Sequence, residues 1–251
     1  PQLAIYTYLC AFLSAIKEHI PNVKIFHTGA TLLSVAATRA GIETVYLHHG
    51  LAEKTSIASF PFCDQIYVYS GEEKSYIEDI SPNATVYLYP VKELSKLEKR
   101  VIIFLRPYDS LMSEKTILEV LDLFLKKDYK IFLKKHPIYK GSLVDKIAEK
   151  YNLELTGPEK DASEIILNLR PSFTVSWRST ALCESLRQGV VPISLSGDNT
   201  GSSSTHQDFI FWSIYPLWKR SLSWMEEKER IIDLLEDTSL YKKTLSELRM
   251  R

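Results

Sequence analysis

The chain has 251 residues, 45% of them hydrophobic, enough for one large core or two small ones, and its 31 lysines and arginines balance 31 aspartates and glutamates. That balance excludes a globally basic nucleic-acid binder and a partner that is an acidic polymer, so any cationic site has to be local. No apolar run reaches the roughly 18 residues of a membrane span, and the cysteines, Cys10, Cys63 and Cys183, are scattered and form no CxxC pair, which fits a reducing compartment and argues against structural zinc.

Residues 2–19 carry Leu3, Ile5, Tyr6, Leu9, Cys10, Phe12, Leu13 and Ile16 at helical spacing and close on Pro21. The chain starts at Pro1 and enters this helix with no strand before it, so an N-terminal part of the natural protein is expected to precede these residues. A strand over 23–27, a small-residue helix over 31–40 stopped by Gly41, and a strand over 43–47 make a βαβ unit whose second strand runs into His48-His49-Gly50. A strand over 64–69, a helix over 72–80 and a strand over 85–89 continue the alternation. Residues 92–100 are charged, lack glycine and show little apolar pattern, which marks a connector between a first lobe over 1–91 and a second over 101–251.

The second lobe opens on Val101-Ile102-Ile103-Phe104-Leu105, the continuous apolar run of a parallel strand covered on both faces. An amphipathic helix over 113–127 leads to the strand that ends in Lys134-Lys135-His136-Pro137. Then come a helix over 142–151, a short strand over 153–155, helices over 162–169 and 180–188, and strands over 173–176 and 190–194. Residues 197–206 are rich in Gly, Ser and Thr and read as a surface loop, and 212–251 read as an aromatic, then helical, tail. The expected fold class is α/β: two Rossmann-type lobes with parallel sheets and a cleft between them, the first lobe incomplete.

The chemistry gathers at strand ends. Pro137 stops its strand and leaves His136 at the carboxyl end, where ligands of open α/β sheets bind, and Lys134 and Lys135 beside it suit an anion. Ser176 ends another strand, and Arg178-Ser179-Thr180 opens a helix whose N–H groups and hydroxyls suit a phosphate; the same hydroxyls could equally be plain helix caps. Glu184, four residues after Thr180, is placed to accept hydrogen bonds from a sugar diol or to be a solvated helix glutamate. His19 at a helix end and His27 at a strand end read as structural.

Lys134-Lys135-His136-Pro137, the run from Ser176 to Ser185 and Gly189-Val190-Val191-Pro192 resemble the donor lobe of bacterial GT-B transferases that use cytidine-nucleotide donors, among them sialyltransferases and Kdo transferases. Leu47-His48-His49-Gly50-Leu51 is similar to the His-Gly segment of CDP-glycerol glycerophosphotransferases, and departs from the acidic residue many sialyltransferases carry there. The resemblance implies a GT-B-like fold with an incomplete acceptor lobe. It assigns the catalytic roles to His136, on the donor phosphate, and to His49, or His48 beside it, as general base. Donor binding falls to Lys135, Pro137, Ser179, Thr180 and Glu184, with Lys134, Arg178 and Ser176 as further candidates. The implied activity is metal-independent transfer of a sialic acid- or Kdo-like sugar from a CMP-activated donor to a capsule or lipopolysaccharide glycan. Polymer synthesis from CDP-glycerol and a non-transferase role such as a sugar-nucleotide epimerase are the alternatives. No Asp-x-Asp pattern occurs, and no cofactor is expected beyond the donor substrate. The expected partners are a nucleotide-sugar donor and a glycan acceptor, without nucleic acid. The expected place is the cytoplasm, with the aromatic and basic stretch 209–220 either packed into the protein or resting on the inner membrane.

Overall fold

The computed structural model describes residues 2–28, 31–47, 63–92, 94–177, 179–195 and 221–250. Described residues up to Tyr89 form one compact unit, and those from Pro90 onward form a second.

In the first unit α1 (Gln2–His19) precedes β1 (Lys24–His27), α2 (Thr31–Arg39), β2 (Glu43–Leu47), β3 (Gln65–Val68), α3 (Gly71–Ile80) and β4 (Thr85–Leu88). The strands pair in parallel in the order β1-β2-β3-β4. Period-two alternation puts Tyr46, Ile66, Val68 and Val86 on one face, where Ile77 of α3 packs. Small Ala36 and Ala37 let α2 pack closely against Leu13 of α1, and Gly41, at φ +69°, supplies the left-handed residue that stops α2. α3 starts on a reciprocal cap: Ser70 Oγ accepts from the Glu73 N–H (3.1 Å), while the Glu73 carboxylate accepts from the N–H groups of Tyr69 and Ser70 (both 2.9 Å).

The second unit contains β5 (Glu98–Phe104), α4 (Glu114–Lys126), β6 (Lys130–Lys134), α5 (Leu143–Tyr151), β7 (Glu154–Thr156), α6 (Ala162–Leu169), β8 (Pro171–Ser176), α7 (Ala181–Arg187), β9 (Val191–Ser194), β10 (Leu222–Ser223), α8 (Lys228–Leu234) and α9 (Thr238–Met250). All six strands are parallel, in the order β10-β9-β8-β5-β6-β7. β5 is central and covered on both sides, as its unbroken apolar run requires. Val101 and Ile103 join a cluster with Ile117, Leu121 and Phe124 of α4, while Ile102 and Phe104 join Ile165 and Ile166 of α6 and Ala181 of α7.

Three details differ from the sequence reading. β5 begins at Glu98, and the N–H groups of Lys92 and Leu94 donate to the carbonyls of Arg187 and Gln188 (2.9 and 3.0 Å), so the charged stretch 92–100 is bound into the second unit. β8 begins at Pro171, tolerated as the first residue of a strand. The tail contributes a sixth strand, β10, whose two residues pair with Ile193 and Ser194; so short an element carries no period to read.

Candidate functional site

Because every strand of the second sheet points the same way, the chain segments after β5, β6, β8 and β9 all emerge at one edge. The chain proceeds outward from β5 through β6 to β7, then returns to the other side of β5 and proceeds outward again through β8, β9 and β10. The order therefore reverses between β5 and β8, the place where such sheets leave a crevice for a ligand.

His136 lies beside this reversal. Phe104 and Lys134 are paired in register, so Arg106 and His136, each two residues further on, leave neighbouring strand ends together. The Leu105 N–H donates to the Lys134 carbonyl (3.0 Å) and carries the pairing one step past the strands. Burial lowers the pKa of His136, and the charges of Arg106 and Lys134 lower it further. Those two cations therefore lie within electrostatic reach of the ring. The Ile138 N–H donates to His136 Nδ1 (3.3 Å), so the neutral ring carries its proton on Nε2, a hydrogen-bond donor left for a ligand.

The two lysines before His136 diverge because successive strand residues face opposite ways. Lys134 is only 4% exposed. Its Nζ donates to the Lys135 carbonyl (2.7 Å), and burial holds its pKa below the usual lysine value against the opposing charges of Glu159 and Asp161. Lys135 turns toward α5, where its ammonium pairs with Asp145 (2.6 Å) and lies 5.4 Å from the centre of the Tyr139 ring. Pro137 is exposed.

Ser176, Ser179 and Thr180 lie at the end of β8, across β5 from His136. The Ser176 hydroxyl donates to the Phe104 carbonyl (3.0 Å), a bond between adjacent strands. Ser179 Oγ accepts from the Ala181 N–H (3.2 Å), while Thr180 stands at the cap position of α7 and makes no side-chain capping bond. Among the described residues no hydrogen bond joins His136 to Ser179 or Thr180. With two strand spacings between β6 and β8 their backbones are about 10 Å apart, a gap one phosphate group can bridge between side chains. Glu184 accepts from the Ser163 hydroxyl of α6 (3.0 Å) through one carboxylate oxygen. His48, His49 and Arg178 lie outside the described residues.

Two residues of this edge escaped the sequence reading. Arg106 follows an apolar strand just as His136 does, which was a usable signal, but its neighbourhood with β6 is a fact of strand order. Asp109 joins the loop after β5 to the turn after His136: its carboxylate accepts from the Tyr139 hydroxyl (2.5 Å) and from the N–H groups of Ser142 (2.9 Å) and Leu143 (3.1 Å). Burial opposes ionisation of Asp109, yet these hydrogen bonds outweigh it and hold the carboxyl below its ordinary range. Burial and the bond to Asp109 push the Tyr139 hydroxyl up to about 12. Among the described residues, no group of three or more His, Cys, Asp or Glu side chains is placed to hold a metal ion, and no helix is long and apolar enough to cross a membrane.

No protein-family model matches the sequence, and no curated protein sequence matches it. Solved structures do share the fold. Accessory secretory protein 1, 2 and 3 of Streptococcus pneumoniae superposes with a TM-score of 0.62 at 10% identity, over 98% of this chain and 54% of that one. A UDP-GlcNAc 2-epimerase of Neisseria meningitidis, bound to UDP-GlcNAc, gives a TM-score of 0.59 at 12% identity over 98% and 76%. A glycosyltransferase of Rickettsia africae gives 0.50 at 9% identity over 98% and 76%. The chain thus spans about half of the first of these proteins and three quarters of the others. At these identities the likeness is one of fold: α/β with parallel sheets, shared with GT-B-like proteins.

Proposed function

We propose that the chain is part of a nucleotide-sugar-dependent transferase, and that its second unit binds the phosphate of an activated sugar donor. The observation that carries this reading is the meeting of three nitrogen-bearing side chains, Arg106, Lys134 and His136, at the carboxyl ends of two adjacent strands beside the reversal of strand order. In a chain with no net charge, these groups, of which Lys134 also feels Glu159 and Asp161, give one strand edge a local site for an anion. The likeness of the His-Pro and Ser-Thr segments to cytidine-nucleotide transferases makes a CMP-activated sugar, sialic acid- or Kdo-like, the favoured donor and a surface glycan the favoured acceptor.

In the proposed reaction the acceptor hydroxyl attacks the anomeric carbon and gives its proton to His49. The bond from that carbon to the phosphate oxygen breaks, and the phosphate takes the electron pair. The developing charge is stabilised by the Nε2–H of His136 and by the charges of Arg106 and Lys134, with Ser179 and Thr180 reaching the phosphate from β8. Glu184, on the helix that Thr180 caps and already accepting from the Ser163 hydroxyl, is the candidate acceptor for a hydroxyl of the donor's sugar.

Titration with CMP, CDP and UDP by calorimetry tests the site. Micromolar to millimolar binding that weakens roughly tenfold in His136→Ala is expected, the loss of one charge-assisted hydrogen bond to phosphate. Absence of nucleotide binding by an intact protein would remove the reading. The same anion site would serve a sugar-nucleotide epimerase, the activity named for the Neisseria protein, and this gives the second reading. Incubation with CMP-sialic acid, CMP-Kdo, CDP-glycerol and UDP-GlcNAc separates them: CMP release from a CMP-sugar supports transfer, CMP release from CDP-glycerol alone points to polymer synthesis, and epimerised UDP-GlcNAc without release points to the epimerase.

A further inference from the structure

The turn that carries His136 has few bonds of its own. The His136 carbonyl accepts from the Tyr139 N–H (2.9 Å), and the Ile138 N–H donates to the His136 ring. Its anchorage comes from the loop after β5. The Lys140 N–H donates to the Pro107 carbonyl (2.8 Å), and Tyr108 and Lys140 form an isolated parallel bridge. Asp109 then takes three donors from the far half of the turn, one oxygen accepting from the Tyr139 hydroxyl and the other from the N–H groups of Ser142 and Leu143. Leu143 opens α5, so the carboxylate also sits at the positive end of that helix. The Tyr139 hydroxyl is fixed in turn by the Val144 N–H, which donates to it (3.3 Å). A Cβ at Gly141 would stand 2.3 Å from an Asp109 carboxylate oxygen, so a side chain there would have to push the carboxylate out of these bonds.

We propose that Asp109 is a positioning residue of the phosphate site: by clamping the turn after β6 to the loop after β5, it sets His136 relative to Arg106 and holds the imidazole in its Nε2–H form. Arg106 opens the loop that Asp109 belongs to, and His136 opens the turn that Asp109 grips, so one carboxylate governs the spacing of both groups. The ring's Nδ1 is engaged only while Ile138 stays in the turn. A clamp that fails therefore frees the proton to move between the ring nitrogens, and the fixed donor is lost. The proposal rests on the reading of His136 as the group that meets the donor phosphate.

The test is imidazole nitrogen NMR on the full chain, with His136 identified by the resonances that vanish in His136→Gln. The wild type is expected to show an unprotonated Nδ1 and a protonated Nε2 through neutral pH, with a midpoint below the ordinary value of about 6.5. In Asp109→Asn the two nitrogen shifts should converge toward the tautomer average and the midpoint rise toward 6.5, with CMP or UDP binding roughly tenfold weaker. Tyr139→Phe should move all three the same way by a smaller amount, and Gly141→Ala, whose added methyl displaces the Asp109 carboxylate, should move them the same way with Asp109 and His136 both retained. A lower melting temperature with the shifts and midpoint of His136 unchanged would overturn the proposal and leave Asp109 as a cap of α5. If the wild type binds neither nucleotide, the functional reading fails, and the ring shifts alone still decide whether Asp109 holds His136.

Discussion

His27 and His136 occupy the same kind of place, the carboxyl end of a parallel strand, and differ in what surrounds them. His136 has a hydrogen bond to one ring nitrogen and cations nearby. His27 is 6% exposed, packs against the Tyr46 ring with centroids 5.3 Å apart, and has no hydrogen-bond partner at either nitrogen among the described residues. An unsatisfied buried polar group costs about 1–3 kcal/mol, and burial lowers the His27 pKa because the charged ring is the more poorly solvated form. The sign of the pH dependence follows. The folded chain binds the proton more weakly than the unfolded one, so the native state is unaffected above about 6.5 and loses stability as pH falls below it. His27→Phe keeps the ring contact and removes the unpaired nitrogens. It should raise stability by about 1 kcal/mol at pH 7 and flatten the fall in melting temperature between pH 7.5 and 5.5, as read by calorimetry. His136 contributes with the same sign, so the difference between variant and wild type isolates His27, and parallel curves would show that His27 is satisfied after all. For His136 the linkage runs through the ligand. A bound phosphate opposes burial and the two cations, so nucleotide binding should take up protons below pH 7. Binding heats compared in buffers of different ionisation enthalpy measure that uptake, and His136→Gln should abolish its larger part.

At the scale of elements, what was legible is what burial dictates locally. Val101 to Leu105 announces a doubly covered strand because no polar residue interrupts it, and α4 is legible because Ile117, Leu121 and Phe124 repeat at helical spacing. The acidic start of α3 showed as well, although the buried reciprocal cap between Ser70 and Glu73 is a finer statement than its sequence makes. What stayed hidden depends on distant chain. α9 reads as a plain terminal helix, yet its Tyr241 hydroxyl donates to the Ser172 carbonyl (2.5 Å) at the start of β8 and accepts from the Val191 N–H (3.0 Å) at the start of β9. One hydroxyl thus joins two strands to the tail. Burial drives its pKa well above the usual tyrosine value. Tyr241→Phe keeps the edge-to-face contact with Phe173, whose ring centre lies 5.4 Å away, and leaves both backbone groups without this partner. Denaturant unfolding should show a loss of about 2–3 kcal/mol with an unchanged slope, and a loss below half of that would mean that water replaces the hydroxyl.

For the whole molecule, the decisive fact is the order of strands, and no local pattern encodes it. A strand followed by a helix is readable from period and caps, but whether the next strand lies to the left or the right of its predecessor depends on which apolar faces meet in the folded chain. The stretch Lys134 to Pro137 could therefore be singled out from its own residues, whereas Arg106, some 30 residues earlier in the chain, became its neighbour only when β5 and β6 were seen to pair. Strand order also divides the surface of the second unit into two edges with different expectations. The carboxyl edge carries Arg106, Lys134 and His136. The amino edge carries a pocket of about 330 Å³ lined by Tyr129, Phe173 and Tyr241, with the Lys99 ammonium 5.4 Å from the Tyr129 ring centre. Both edges offer a cation, and in a chain whose charges sum to zero neither is favoured by a long-range field. If ligand position follows the reversal of strand order, Arg106→Gln should weaken CMP or UDP binding roughly tenfold and raise the His136 midpoint by removing one of the two cations that depress it. Lys99→Gln should leave both within about twofold, since that ammonium stands at the far ends of the same strands. The opposite pair of results, binding lost with Lys99 and kept without Arg106, would place the nucleotide in the aromatic pocket of the amino edge and detach it from His136 altogether.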